Sequence, residues 1–335
     1  MATVAHAFSP KEFKCFVISD ATTAGNSGIH ATNMKQLDVD SVSFPSLNVN
    51  QVMDVRSGVG HTLKDEDFFQ DNKLRVVELG LSGTLHDDEA HRMLLANICG
   101  AAQADDTNQT IASGHKIVSQ KYGAAVTNNA SSLTVIIQPS DVSNQQGIEL
   151  SGCVVTSFAI SADTGTEGGR YKWSATLQTG YLPDLASTGA AGSSAAYANT
   201  TTTSLASASS IKVYNTEAIM NSFTCTIDYP AVFSGFTSTG FETVGRGAEC
   251  SVTADIQVKY DGNTKGLINS FDTQTAAIAG NLFNVVNNGN YGIEIDNGVL
   301  TDVTFNEGEM MMLDVSAKAV DDGSDELLIV DLSNS

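Results

Sequence analysis

The segment Glu249–Lys259, ECSVTADIQVK, decides the fold class. Cys250, Val252, Ala254, Ile256 and Val258 alternate without a break with Ser251, Thr253, Asp255, Gln257 and Lys259. Successive side chains of a strand leave on opposite faces. A sustained period of two therefore describes a strand with one face on a core and the other in water. The same rhythm runs from Val76 to His86, with Val77, Leu79, Leu81, Gly83 and Leu85 on one face and Glu78, Gly80, Ser82, Thr84 and His86 on the other. Proline is scarce (5) and glycine frequent (29), and Gly, Asn and Asp punctuate the alternating segments, so the chain reads as mainly β.

These two segments are related by a constant shift of 173 positions. The shift carries Val77 to Cys250, Leu79 to Val252, Leu81 to Ala254 and Leu85 to Val258. It continues beyond the strand, carrying Asp88 to Asp261, Leu94 to Leu267, Leu95 to Ile268 and Ile98 to Phe271. Each copy reads as an alternating strand, an Asp at a turn or helix cap, and a short amphipathic helix. Later pieces recur in the same order. Leu133–Ile137 and Gly152–Phe158 correspond to Tyr291–Ile295 and Gly298–Val303, and the closing strand Tyr171–Gln178 corresponds to Met310–Ala319. The chain thus reads as a long-period repeat of one β-rich design.

The expected organisation is an N-terminal arm over 1–35, a first module over 36–186, a linker over 187–210 and a second module over 211–335. The linker is almost entirely Ala, Ser, Thr, Gly and Asn, which supply too few large apolar groups to order it. Residues 101–130, polar and only briefly apolar at Lys116–Ser119, read as a long loop.

Composition narrows the function. The 335 residues include 38 acidic and 17 basic ones, a formal net charge of -21, which argues against holding nucleic acid by phosphate neutralisation. Charged residues are only 16%, so surface polarity must come from Ser, Thr, Asn and Gln. Cys15, Cys99, Cys153, Cys225 and Cys250 are odd in number and contain no CxxC pair, and read as small buried hydrophobes in a reducing compartment. The N-terminus shows no secretory pattern and no apolar run is long enough to span a bilayer, so a protein made in a cytoplasm, with no membrane partner, is expected.

Constellations that suggest chemistry are weak. His86 and His91 flank three acids, but their spacing does not put both on one helical face; a capped helix start with solvated acids is expected. Asp321–Glu326 resembles part of a calcium loop without its distal ligand, and reads as an acidic turn. GxSxG and the phosphate-cradling GxxxxGK[ST] are both missing. No catalytic residue, metal site or cofactor is expected.

The order of elements resembles the tail-tube (major tail) proteins of long-tailed bacteriophages, in their longer form with a duplicated tube module. The resemblance covers roughly residues 40–335. It is carried by SFPSLNVNQVMDVRSGVGH from Ser43, LRVVELGLSGTLHDDEAHRMLLANICG from Leu74, GIELSGCVVTSFAISADTGTEGGRYKWSATLQTG from Gly147, NSFTCTIDYP from Asn221, RGAECSVTADIQVKYDG from Arg246 and GVLTDVTFNEGEMMMLDVSAKA from Gly298. The resemblance implies two tandem β-sandwich modules, each with a short flanking helix, whose inner sheets join into a barrel on oligomerisation. It implies a virion tail component whose main partner is itself, in stacked rings. The duplication favours a trimeric ring with pseudo-sixfold symmetry, with a hexamer as the alternative. Tape-measure, tail-terminator and distal tail proteins are the other implied partners, and DNA passes through the lumen without specific binding.

Ring closure has a physical motive, because it removes the liability of open sheet edges. Glu78, Ser82, Thr84, Asp255 and Gln257 are the expected lumen-facing residues, where acidic side chains would let phosphates slide. The resemblance implies that the loop Arg56–Asn72 reaches the adjacent ring, with Asp65, Glu66, Asp67, Phe68 and Phe69 as candidates; two aromatics among acids suit a buried anchor there, the alternative being that they fold back onto their own module. The inner tube of a contractile tail-like system shares the fold, and a β-sandwich adhesin or carbohydrate-binding module is the alternative from another class.

Overall fold

Alternation in the sequence becomes antiparallel strands along most of the chain. A computed structural model describes residues 10–19, 34–45, 50–53, 68–71, 76–99, 114–118, 132–139, 147–187, 204–235, 243–246, 249–287, 292–321 and 326–332. Within them the protein is mainly β with two α-helices, arranged as multiple antiparallel sheets, and no sheet closes into a barrel.

The first half contains β1 (Phe13–Ser19), β2 (Lys35–Leu37), β3 (Ser41–Ser43), a hairpin of β4 (Asn50–Met53) and β5 (Phe68–Asp71), and β6 (Val77–Thr84). Helix α1 (Glu89–Cys99) follows, then β7 (Gly114–Val118), β8 (Leu133–Pro139), β9 (Gly147–Asp163), β10 (Lys172–Thr179) and β11 (Asp184–Ser187). The second half contains β12 (Ala208–Val213), β13 (Thr216–Glu217), β14 (Met220–Asp228), a hairpin of β15 (Ala231–Ser234) and β16 (Thr243–Arg246), β17 (Ser251–Lys259) and helix α2 (Gly266–Thr273). It ends with β18 (Phe283–Asn287), β19 (Gly292–Ile295), β20 (Gly298–Glu307), β21 (Met311–Ala319) and β22 (Glu326–Asp331).

The strand pairings occur twice in the same order. In the first half β1 pairs with β2 and β8, β8 with the first part of β9, and β11 with that same part. In the second half β12 pairs with β13 and β18, β18 with β19, and β19 with β22. The other sheet repeats likewise: β3–β6–β10 and the second part of β9 answer to β14–β17–β21–β20. Strand β7 stands outside this scheme and pairs with β22 of the second half.

Strand β9 belongs to two sheets. Its residues up to Cys153 face β8, and those from Val154 onward face β10. The change occurs beside Gly152, at φ +65, where an added Cβ would meet the ring of Tyr181 at 2.6 Å. Only glycine tolerates both the left-handed backbone and that close approach. The second half takes the same route with two strands, β19 and β20, interrupted at Asp296–Asn297.

Most apolar faces converge on a main core that includes residues of both halves, and Phe16, Ile18, Met34 and Ile136 form a second, smaller cluster on the other side of β1 and β8. Trp173 stacks on Phe158 at 5.9 Å and donates its indole N–H to the Thr84 carbonyl at 3.1 Å. Tyr171 meets Phe223 edge-on at 5.5 Å, and Phe223 meets Phe283 at 5.4 Å, which carries the aromatic packing from one half into the other. Helix α1 begins where Asp88 Oδ1 accepts the His91 backbone N–H at 2.8 Å, and buries Met93, Leu94, Leu95 and Ile98. All five cysteines are free thiols, four buried and Cys250 half-buried.

Three expectations change. Phe13–Ser19, expected in an N-terminal arm, is a strand whose Cys15 and Val17 enter the main core. The stretch expected as linker already has structure from Ser204: Leu205–Ser207 forms a turn of 3-10 helix with Leu205 buried, and β12 begins at Ala208. The expected loop over 101–130 contains β7, whose short apolar run was too brief to reveal a strand without its partner β22.

Candidate functional site

One continuous sheet joins the two halves. The second part of β9 pairs with β14 from Ser157↔Asp228 to Asp163↔Ser222, giving the strand run β3–β6–β10–β9–β14–β17–β21–β20. Its core side is apolar. Its other side is a field of Ser and Thr with scattered acids, as the alternation of β6 and β17 requires. A single cross-strand row on that side reads Thr84, Lys172, Ser161, Thr224, Asp255, Ser316 and Asp302.

All five residues expected to line a lumen lie on this polar side. Glu78 and Asp255 are exposed, and Ser82 and Gln257 are half-buried. Thr84 is buried, because Lys172 Nζ donates to its Oγ1 at 3.0 Å and lies over it.

Hydrogen bonds tie the face together across strands. Asn221 Nδ2 donates to Gln257 Oε1 at 2.6 Å, Gln257 Nε2 to Asp314 Oδ1 at 2.9 Å, and Asn306 Nδ2 to Asp314 Oδ2 at 2.7 Å. This string crosses β14, β17, β21 and β20. Ser316 Oγ donates to Asp255 Oδ1 at 2.6 Å, and Gln178 Nε2 to Glu78 Oε2 at 3.1 Å. These donors are neutral, so they fix the carboxylates in place without cancelling their charge. Lys172 is different, bridging Asp40 at 3.1 Å and Glu167 at 3.0 Å near the β3 end. A depression of about 250 Å³ on the same face is lined by Ser41, Ser43, Gly80, Ser157, Ser174 and Thr176, among others. Its described lining contains no acid, base or thiol and is mostly Ser and Thr.

Among the described residues the run ends in two strands that each have a single strand neighbour, β6 for β3 and β21 for β20. The start of β20 is also covered: Gly298 bridges Ile278, and the Gln274 side chain donates to the Leu300 carbonyl at 3.1 Å and accepts its N–H at 2.9 Å, which leaves the later part of the strand as the edge. Phe305 of β20 stands opposite fully buried Leu313, on the core side, yet is 50% exposed. Among the described residues no strand lies beyond β20 to cover it.

A second set of contacts binds the halves, and no sequence motif announced it. Arg246, at the end of β16, donates to the carbonyls of Val155 (2.7 Å), Tyr229 (2.5 Å) and Asn97 (3.1 Å) and lies 4.7 Å from the Tyr229 ring centre. Asn97 is in the last turn of α1, where helix carbonyls lack partners and a cation is favoured. Asn97 Oδ1 also accepts the Val155 N–H at 2.8 Å. Burial lowers the guanidinium pKa to about 10, which leaves it charged near neutrality. An isolated Arg in a Gly-rich stretch carries no signal of this role.

His86 and His91 are both buried, with ring centres 5.8 Å apart. His86 Nε2 lies 3.0 Å from Asp38 Oδ2 and His91 Nδ1 lies 2.7 Å from Asp88 Oδ1. The acids expected to be solvated are paired instead, Asp87 with Arg92 and Glu89 with Lys35. Among the described residues no three His, Cys, Asp or Glu side chains converge as metal ligands do. Of the expected inter-ring residues, Asp65, Glu66 and Asp67 lie outside the described residues. Phe68 and Phe69 fall on β5, opposite Met53 and Val52. Residues 322–325 of the acidic turn also lie outside the described residues.

No protein-family model matches the chain, and no curated protein matches it significantly.

Proposed function

We propose that this chain is the structural subunit of a bacteriophage tail tube. It assembles into stacked rings around a tape-measure protein and later conducts DNA, without catalysing a reaction or holding a cofactor. In this reading the twofold recurrence of strand pairings is two tandem β-sandwich modules, and the shared sheet is the inner wall of a barrel completed by other copies. The virion tail is the location, and tail-terminator and distal tail proteins are the partners at its ends.

The observation that carries the reading is the shared sheet. Two like units are joined edge to edge within the chain, by the second part of β9 against β14; among the described residues the same sheet ends in β3, which corresponds to β14, and in β20, which corresponds to the second part of β9. A contact that joins unlike edges propagates, and it makes a closed ring when the rotation per unit divides a full turn. Three chains of two units would close a ring of six, the trimer with pseudo-sixfold symmetry. Closure would also remove both open edges. The polar side, with acids held by amides and hydroxyls, suits a wall that polyanionic DNA must pass without sticking.

Electron microscopy of the purified chain at rising concentration tests the reading. Rings with a central hole, or hollow tubes, are expected, with three-fold image symmetry. Compact monomers at every concentration, with sedimentation in agreement, would overturn it.

A further inference from the structure

The junction inside the chain is a template for the junction between chains. Through the shift of 173, Ser82 of β6 corresponds to Asp255 of β17. Ser41 pairs with Ser82, and Thr224 pairs with Asp255, so Ser41 of β3 stands where Thr224 of β14 does. At the other end Ser161 of β9 pairs with Lys172, which pairs with Thr84. The same shift carries Thr84 to Gln257, which pairs with Asp314, which pairs with Thr304. Thr304 of β20 therefore stands where Ser161 of β9 does. Inside the chain Thr224 is directly opposite Ser161, Cys225 opposite Ile160, and Thr226 opposite Ala159.

Resting on the ring reading above, we infer that the partner of the β20 edge is strand β3 of a second copy, antiparallel, with Thr304 opposite Ser41, Val303 opposite Val42 and Asp302 opposite Ser43. The side-chain chemistry of the two edges agrees with that register. Ser41, Ser43, Asp302 and Thr304 fall on the polar side, and Val42 and Val303 fall on the core side. Phe305 marks the same boundary. Its counterpart Ala162 is 4% exposed beneath β14, where Phe223 lies directly opposite, 2% exposed. At the inferred junction the sizes are exchanged: the aromatic comes from β20, and the residue opposite is Asp40, whose carboxylate is engaged by Lys172. Strand β20 carries no Lys or Pro, the commonest blocks to strand addition at an edge, and its two charges are Asp302, on the polar side, and Glu307, at its end.

Paired cysteines test the register in the full chain. Ser41→Cys with Thr304→Cys, assembled and treated with a mild disulfide-forming oxidant, is expected to yield covalently linked species of three chains. Either substitution alone, or Ser43→Cys with Thr304→Cys, is expected to yield far less. Four of the five native thiols are buried and Cys250 is half-buried, so background linking is small. Phe305→Ser is expected to raise the concentration for half-assembly by about tenfold or more, since it removes the apolar group the junction covers. Its Trp173 emission, unchanged from wild type, would show that the fold is intact. Rings by microscopy with equal or stronger linking in the shifted pair, or with no linking in the matched pair, would overturn the register while leaving the ring reading intact. Wild-type chains that never assemble would overturn both.

Discussion

Replacing Arg246 with Met removes a charged clamp while keeping apolar bulk. Three carbonyls lose a cationic donor, those of Val155, Tyr229 and Asn97. Hydrogen bonds to a charged group contribute about 1.5–3 kcal/mol each, so the three together contribute about 6 kcal/mol. The contact with the Tyr229 ring adds about 1 kcal/mol. Against this stands the cost of burying the cation, which pushes its pKa down from the usual arginine range to about 10. That fall corresponds to about 3 kcal/mol at ~1.36 kcal/mol per unit. Arg246 is half-buried, so water reaches some of the freed carbonyls, and the net loss comes to about 2–3 kcal/mol. The only tryptophan, Trp173, sits in the first half while Arg246 belongs to the second. Urea unfolding followed by Trp173 emission therefore reads whether the clamp supports the unit it reaches. With a slope of about 3 kcal/mol per M, the midpoint falls by about 1 M. Arg246→Lys, which keeps the charge and loses the fork, should fall between. A midpoint for Arg246→Met within ~0.2 M of wild type would refute the reasoning and reduce the clamp to a surface contact.

Other predictions concern single features. Gly152→Ala should destabilise by about 2–4 kcal/mol, from a positive φ and a clash with Tyr181; adding Tyr181→Ala should recover the clash but not the backbone cost, and full recovery in calorimetry would contradict the account. Burial pushes the Cys250 thiol up to about 11 and those of Cys15 and Cys225 up to about 12, so native protein at pH 8 should label slowly with a thiol reagent and fully in urea; fast native labelling would count against this core. Backbone N–H groups of Thr264 and Asn263 hold the Asp261 carboxyl below the usual range. The stability it contributes is full above its unfolded pKa and is lost as pH falls through the lowered folded value, so Asp261→Asn should lessen the acid sensitivity of unfolding in that window. Lys at both Glu78 and Asp255 should slow DNA ejection from assembled tails, and unchanged ejection kinetics would sink the proposed role of acids on the inner face.

Strands with a solvated face were legible in the sequence, because half-burial imposes the period of two. Ser251–Lys259 and Val77–Thr84 emerge within two residues of where alternation placed them. Strand β8 was found from its apolar run alone, being buried on both sides. Strands without a periodic signature were missed. Gly114–Val118 and Phe13–Ser19 owe their structure to partners far away in sequence, β22 and β8. The polar side of the sheet was legible residue by residue, but its continuity across both halves was not, since the β9–β14 pairing joins segments that no shift relates. Arg246 was invisible for the same reason: three of its acceptors are backbone carbonyls, which leave no mark on composition.

Strand β9 also has a mechanical meaning. In the first half an uninterrupted run of backbone turns the corner from one sheet to the other, so a load on one sheet is passed along covalent bonds to the next. In the second half the backbone also continues through the equivalent corner, but at Asp296–Asn297 it leaves the strand ladder for two residues, held there by single backbone hydrogen bonds to Leu282 and Val320, so the corner yields more easily. A ring of three such chains would alternate stiff and compliant corners around its circumference. A tube built from those rings would bend by opening the compliant corners while its inner wall stayed continuous.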